Sequence, residues 1–186
     1  MKNSIDSEKI LILDFGSQYT QLIARRVREI GVFSEIVSHQ ISYKDILKYN
    51  PKGIILSGGP ESVYTKKILR IDSKILESNI PILGICYGMQ LIAQHFKGKV
   101  KTSNKSEFGA TKVKLNKGKI FKKILSKELN AWMSHGDKVT KLPKGFKRVA
   151  FSSNCSIAAI ENQKQKIYGL QFHPEVTHTE KGSKIL

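Results

Sequence analysis

The chain has few of the residues that would indicate a disulfide-rich or membrane protein. Its 186 residues include only two cysteines, Cys86 and Cys155, which lie far apart and lack Cys-x-x-Cys spacing. This excludes a disulfide framework and does not indicate a cysteine-based zinc site, so we expect no metal and interpret Cys155 as structural. No apolar stretch is long enough to span a membrane, and the first residues do not lead into a secretory apolar core. We therefore expect a soluble, cytoplasmic protein without membrane contacts.

Acidic residues are also scarce, with 15 Asp and Glu against 32 Lys and Arg, which gives a formal net charge of +17. Only five of the basic residues are arginine, and no basic motif is interleaved with aromatic residues. We therefore do not expect nucleic acid as a partner. A solvated lysine-rich surface explains the charge, and its densest run lies between Lys97 and Lys123. The sequence leaves open the alternative that this surface docks an acidic partner or a nucleotide.

The length and the 40% hydrophobic content suit one domain over residues 1–186. Short apolar runs alternate with helical patterns in the first half, which predicts βαβ units, a mostly parallel sheet and right-handed crossovers. After Gly98 the segments become shorter and alternate in polarity, which predicts added antiparallel strands. The strands are predicted at residues 9–14, 32–37, 53–57, 82–86, 111–115, 148–151, 157–160 and 167–172, and the helices at residues 18–30, 71–78 and 88–96, with a short one opening at residues 42–45.

A Gly-x-Cys-x-Gly motif at residues 84–88 joins a predicted buried strand to a predicted helix. Such a corner presents its central side chain as a nucleophile, and the flanking glycines leave room for the backbone. The amino-terminal end of the following helix favours a negative charge, so we expect Cys86 to be reactive as a thiolate. The alternative is a buried cysteine at an ordinary strand-to-helix junction.

A cysteine nucleophile needs a base, and the base needs a group that holds its orientation. His173 and Glu175 are two residues apart in extended chain and therefore point the same way. Pro174 keeps His173 out of a helix and ends the sheet ladder, so both side chains emerge at a strand end. The alternative is a strand-terminal histidine beside an unrelated surface glutamate.

Other segments offer groups for an acyl-transfer site. The amide of Tyr87 follows the nucleophile, and the turn at residues 57–60 follows a buried strand, so Gly59 is the candidate for a second oxyanion donor. Gln90 lies one helical turn beyond Cys86 and can bind a polar substrate. We interpret residues 132–137 as a polar loop. The alternatives are a plain tight turn at residues 57–60, an exposed Gln90 without a role, and a purely structural His135.

Residues 58–60, 84–90 and 172–175 together resemble, in order and spacing, the class I glutamine amidotransferases. Two longer segments, residues 13–26 and 134–139, are similar to the amino-terminal amidotransferase domains of the GMP synthetase branch of that family. The resemblance covers essentially the whole chain. It implies a flavodoxin-like α/β fold, with an open and mostly parallel sheet, flanking helices and added antiparallel strands.

The resemblance also implies roles for individual residues. Cys86 would attack the carboxamide of glutamine, His173 would relay protons, and Glu175 would orient His173. The amides of Gly59 and Tyr87 would hold the oxyanion. The residues implied to bind the amino-acid part of glutamine are Gln90, Ser134, His135, Gly136 and Asp137.

A partner domain follows from the same resemblance. The ammonia would pass to an ATP-pyrophosphatase (synthetase) domain that uses ATP and Mg²⁺ to convert xanthosine monophosphate to GMP. That domain is absent from this chain, and residues 57–60 depart from its Ser-Gly-Gly-x-Asp-Ser loop, so we expect no cofactor here. The family carries the two domains on one polypeptide or on separate subunits. The uncapped helical pattern at residues 179–186 favours a longer parent or a cut chain.

Two other function classes remain as alternatives. A cysteine hydrolase or peptidase of the same fold would share residues 84–88 but would not be expected to carry residues 13–26. A noncatalytic basic binding module would show salt-sensitive nucleic-acid binding and would not depend on Cys86. Turnover of glutamine compared with peptides separates the first alternative from an amidotransferase.

Overall fold

The computed structural model describes residues 8–59 and 69–186, and only the backbone of residues 103–106. Pro60 of the predicted glycine-rich turn and the first seven residues lie outside the described part. The helices are α1 Thr20–Glu29, α2 Tyr43–Tyr49, α3 Ser73–Leu76, α4 Tyr87–His95 and α5 Gly182–Ile185. The strands are β1 Lys9–Asp14, β2 Phe33–Ser38, β3 Gly53–Leu56, β4 Ile82–Ile85, β5 Lys99–Leu115, β6 Glu128–Lys141, β7 Lys147–Phe151, β8 Ala159–Asn162 and β9 Ile167–Leu170.

All nine strands form one sheet in the order β2-β1-β3-β4-β9-β8-β7-β5-β6. Strands β2, β1, β3, β4 and β9 pair in parallel, and the remaining pairs are antiparallel. This confirms the predicted α/β architecture, in which antiparallel strands extend a parallel core. The last strand in sequence, β9, lies between β4 and β8, so it joins the parallel half of the sheet to the antiparallel half.

The core lies on both faces of the parallel strands. Every residue of β3 is buried, as expected for a central strand covered on two sides. Helix α1 packs one face on the sheet through Ile23, Ala24 and Val27, which agrees with its apolar stripe. The helix was predicted to include Ile30, which instead follows it and is 42% exposed.

The second half of the chain differs from the prediction in three strands. The strand predicted at residues 111–115 is the end of the 17-residue β5, which forms a long antiparallel hairpin with β6. Residues 132–137 are part of β6, not a loop. Their alternation was hidden because β6 buries polar His135 and Asp137 at positions where an apolar residue is usual. The strand predicted at residues 167–172 ends at Leu170 and is parallel to β4 on one side.

The exposed lysines of β5 illustrate how the high charge is accommodated. Val113 is fully buried, whereas its neighbours Lys112 and Lys114 point to solvent. The Lys112 ammonium lies 3.1 Å from the carboxylate of Glu128 on β6. Within residues 8–59 and 69–186, no helix combines the length and apolarity needed to cross a membrane.

Candidate active site

A strained backbone at Cys86 forms the corner between β4 and α4. Cys86 has φ 52° and ψ −104°, a conformation that L residues rarely adopt. A Cβ atom on Gly84 would lie 2.5 Å from the carbonyl carbon of Gly88, and one on Gly88 would lie 2.5 Å from the carbonyl oxygen of Leu56. Both glycines are therefore required by close backbone contacts, which supports the nucleophile-elbow interpretation of this motif.

The sulfur of Cys86 lies in a nearly closed environment at the start of α4. Cys86 is 6% exposed, and its Sγ lies 3.6 Å from the carbonyl oxygen of Ser134 on β6. The side-chain amide of Gln171 lies on another side, with Nε2 at 3.7 Å from Sγ. Because Cys86 is the N-cap residue of α4, the backbone amides of the first helical turn lie near the sulfur.

His173 and Glu175 form a buried hydrogen-bonded pair just after β9. His173 Nδ1 lies 2.7 Å from Glu175 Oε1, and the residues are 3% and 1% exposed. The backbone fixes the imidazole, because His173 N donates to the carbonyl of Trp132 at 3.0 Å and Thr179 Oγ1 donates to the carbonyl of His173. The parallel pairing of β4 with β9 carries this pair to the same sheet edge as Cys86.

The electrostatics of His173 favour an imidazolium. Burial by itself lowers the pKa of His173, but hydrogen bonds and Coulombic attraction to Cys86 and Glu175 outweigh it and raise this pKa to about 10. The imidazolium is therefore stabilised by negative charge on both of its sides.

A cavity of about 540 Å³ opens above the sulfur. Cys86 and His173 both line it, together with Gly59 and Tyr87, the two predicted oxyanion donors. All the residues predicted to bind the amino-acid part of glutamine also line it: Gln90, Ser134, His135, Gly136 and Asp137. The structure thus brings the predicted groups to one cavity, with Glu175 behind His173.

Gln90 and Asp137, two of the predicted glutamine-binding residues, are hydrogen-bonded to each other. Gln90 is 3% exposed, and its Nε2 donates to the backbone carbonyl of Asp137 at 2.9 Å. This bond links α4 to β6. The side-chain carbonyl of Gln90 is then the group that can accept a hydrogen bond from a ligand. The side chain of His135 is 1% exposed and faces Glu107 of β5, so its backbone is the part available to a ligand.

A second cluster of chemically active side chains lies beneath the cavity. Ligand atoms of Glu107, His135 and Cys155 lie within 4.8 Å of one another, and all three residues are buried. His135 Nε2 lies 3.2 Å from Glu107 Oε2 without hydrogen-bond alignment, and Ser152 donates to Glu107 Oε1 at 3.0 Å. Carboxylate, imidazole and thiol are ligand types for a zinc-like ion, so these residues could hold one.

Burial controls ionisation in this cluster. It lowers the pKa of His135, against the opposing effect of Glu107, so the imidazole is neutral. Burial, together with the Glu107 charge, raises the pKa of the Cys155 thiol to about 12. Cys155 is therefore a protonated, unreactive thiol at neutral pH, which agrees with its interpretation as structural.

The family model of class I glutamine amidotransferase matches residues 11–186. The chain belongs to this family. A GMP synthase (glutamine-hydrolyzing) of Macrococcus caseolyticus is 50% identical over 186 residues, which is all of this chain and 36% of that protein. One from Ruthia magnifica is 52% identical over 190 residues, again all of this chain and 36% of that protein.

Solved structures agree with the fold of this amidotransferase. A GMP synthase subunit protein from Thermoplasma acidophilum superposes with a TM-score of 0.85 at 35% identity, covering 96% of this chain and 89% of that one. A glutamine amidotransferase of Thermotoga maritima superposes with a TM-score of 0.73 over 91% of this chain and 76% of that one, at 23% identity. The amidotransferase spans about a third of the length of the curated relatives, 36% in each comparison above.

Several residues of the amidotransferase site were not found by sequence reasoning. The segment before α1 reaches the cavity, and the Tyr19 ring packs edge-on against the His173 ring at 5.1 Å between centroids. Phe108 on β5 lines the same cavity and is 72% exposed. Gln171, whose Nε2 lies 3.7 Å from the Cys86 sulfur, was not predicted to belong to the site. The long motif at residues 13–26 was a usable signal for Tyr19, whereas Phe108 had none because its strand was missed.

Proposed function

We propose that this amidotransferase domain hydrolyses glutamine to glutamate and ammonia, with Cys86, His173 and Glu175 as its catalytic residues. The observation that carries the proposal is the hydrogen-bonded arrangement of a strained elbow cysteine, a histidine and a buried carboxylate at one cavity. The family match supports the substrate class.

The first half-reaction forms a thioester. The Cys86 thiolate attacks the side-chain carbonyl carbon of glutamine, and the negative charge moves to the carbonyl oxygen, where the amides of Gly59 and Tyr87 stabilise it. The His173 imidazolium then donates its proton to the amide nitrogen, the carbon–nitrogen bond breaks, and ammonia leaves. Glu175 holds the imidazole in the required orientation and stabilises its positive charge.

The second half-reaction regenerates the thiolate. The neutral His173 takes a proton from water, and the resulting hydroxide attacks the thioester carbon. The carbon–sulfur bond breaks, glutamate leaves, and the thiolate is again paired with the imidazolium. Gln90 and the backbone of residues 134–137 on β6 hold the amino and carboxyl groups of the substrate throughout.

We further propose that the ammonia serves GMP synthesis. The support is the identity of about 50% to GMP synthases, of which this chain matches about a third. The rest of such a protein, on the same polypeptide or as a separate subunit, would be the ATP-pyrophosphatase domain that binds ATP and Mg²⁺. This domain itself needs no cofactor for thioester chemistry, and the cytoplasm, which keeps thiols reduced, suits its free Cys86.

The test is glutamate release by the Cys86→Ala variant, with Cys155→Ala as the matched control. We expect release by the parent and the control, and none by Cys86→Ala. Assays are run with and without a synthetase domain supplied with ATP, Mg²⁺ and xanthosine monophosphate, so that dependence on the partner is measured directly. Release by Cys86→Ala equal to the parent would overturn the mechanism, and release coupled to no GMP would overturn the product assignment.

A further inference from the structure

The side chain of Gln171 is buried, yet most of its hydrogen-bonding capacity is unused. Gln171 is 0% exposed and lies between β9 and His173. Its backbone N donates to the carbonyl of Ala158 at 2.8 Å, which fixes the main chain independently of the side chain. The side chain directs Nε2 to the Cys86 sulfur at 3.7 Å, and its Oε1 has no hydrogen-bond partner among the described residues.

A purely structural role does not explain this amide. A buried carbonyl oxygen without a partner destabilises the folded state, and an apolar side chain of the same shape would avoid that cost. A neutral thiol is a weak hydrogen-bond acceptor, so the bond from Nε2 to a neutral Cys86 would offset little of that cost. A thiolate is a much better acceptor, because a hydrogen bond to an ionised group is about twice as strong as a neutral one.

We propose that Gln171 is a further catalytic residue, which stabilises the Cys86 thiolate by donating a hydrogen bond from Nε2. This inference rests on Cys86 being the nucleophile, as proposed above. The sulfur is then held between two donors, the His173 imidazolium and the Gln171 amide. The imidazolium loses its proton during the first half-reaction, whereas the amide cannot, so Gln171 is the donor that persists through the cycle.

The persistent donor matters most when the thioester is hydrolysed. The sulfur leaves the carbon with a pair of electrons and becomes a thiolate again. At that moment His173 has accepted a proton from the attacking water, and Gln171 offers a second, preformed hydrogen bond to the departing sulfur. Gln171 therefore favours both the attack of the thiolate and its departure.

Two substitutions test this role. Gln171→Met keeps the length of the side chain and removes both polar groups. Gln171→Glu keeps the shape and replaces the donor by a carboxylate that repels a thiolate once it is ionised. Gln40→Glu is the matched control, since it introduces the same charge at an exposed residue that follows β2, an edge strand three positions from β4 in the sheet.

The measurements are the rate of Cys86 alkylation by iodoacetamide between pH 6 and 9, followed by intact mass, and the thermal midpoint of each variant. For Gln171→Met we expect alkylation about tenfold slower at pH 7 with a thermal midpoint equal to or above that of the parent. For Gln171→Glu we expect a larger loss at pH 8 than at pH 6. Gln40→Glu should match the parent in both measurements.

The outcomes separate the two proposals. If both Gln171 variants are alkylated at the parent rate, Gln171 does not stabilise the thiolate and the inference is wrong; a lower thermal midpoint of Gln171→Met then shows a packing role. If the parent itself reacts no faster than free cysteine at pH 7, the thiolate assignment to Cys86 is wrong and the proposed function fails first. Since Gln171→Glu is nearly isosteric, its alkylation rate tests the role of Gln171 even if Gln171→Met does not fold.

Discussion

Replacing Glu175 by glutamine tests the hydrogen bond on which the reactivity of the sulfur depends. Glu175 is 1% exposed, and its Oε1 lies 2.7 Å from Nδ1 of His173. The substitution keeps the shape and removes the charge. A hydrogen bond to a charged group contributes about 1.5–3 kcal/mol and a neutral one about 1 kcal/mol, so the loss is about 0.5–2 kcal/mol. A tenfold change in rate corresponds to about 1.4 kcal/mol, so a loss of about 2 kcal/mol slows glutamine hydrolysis about 30-fold.

The pH dependence supplies a sharper signature than the rate alone. With Glu175 and Cys86 beside it, the pKa of His173 rises to about 10, so the imidazolium persists through the neutral range and loses its proton only near that pH. Without the carboxylate, one of the two groups that raise the pKa of His173 is lost while burial still lowers it, so the imidazole loses its proton at a lower pH. Alkylation of Cys86 should therefore be nearly flat from pH 7 to 9 in the parent, and low at pH 7 but rising with pH in Glu175→Gln.

The assay is alkylation by iodoacetamide with intact-mass detection, alongside glutamate release. Glu77→Gln is the control, since the Glu77 side chain is 62% exposed and makes contact with His95 only, at 3.6 Å, among the described ion pairs. It should reproduce the parent profile. An unchanged profile in Glu175→Gln would refute the argument that Glu175 sustains the charge on His173.

Three further outcomes follow from the structure. Gly84→Ala places a methyl group 2.5 Å from the Gly88 carbonyl carbon and should lower the free energy of unfolding by about 3 kcal/mol, measured by urea denaturation; an unaltered midpoint would contradict the close packing of the elbow. Native protein should take up one alkyl group, on Cys86, because burial raises the pKa of Cys155 to about 12; two adducts without denaturant would contradict this. Since burial lowers the pKa of His135 from its ordinary 6.5, the unfolded state binds more protons, and stability should fall as pH drops below about 6.5. His135→Gln should reduce that slope between pH 7 and 5, and equal slopes would contradict it.

The sharp strand-to-helix corner at Cys86 could be predicted from the sequence because its causes are local. The glycines flanking Cys86 and the helix after it act within a few residues, and the structure shows the expected φ and the expected close contacts. The pairing of His173 with Glu175 was also predictable, since it depends on two residues in extended chain beside a proline.

What could not be predicted depends on contacts between distant segments. Strand β6 buries His135 and Asp137, and a polar residue at a buried position gives a pattern that resembles a loop. Glu107 faces His135, and this contact can be recognised only when the pairing of β5 with β6 is known. Gln171 was overlooked because nothing in its neighbours indicates a sulfur 85 residues away, which reaches it only through the pairing of β4 with β9.

The position of β9 determines when the chain can first become chemically active during synthesis. Strands β1 to β4 and helix α4 all precede residue 96, so they are synthesised before β9, whereas the bond from the backbone N of Cys86 to the carbonyl of Leu170 at 2.7 Å needs β9 in place. His173 and Glu175 are synthesised after Cys86 and reach the sulfur only once β9 has inserted beside β4. A chain in which β9 has not yet paired with β4 therefore keeps Cys86 apart from His173 and Glu175.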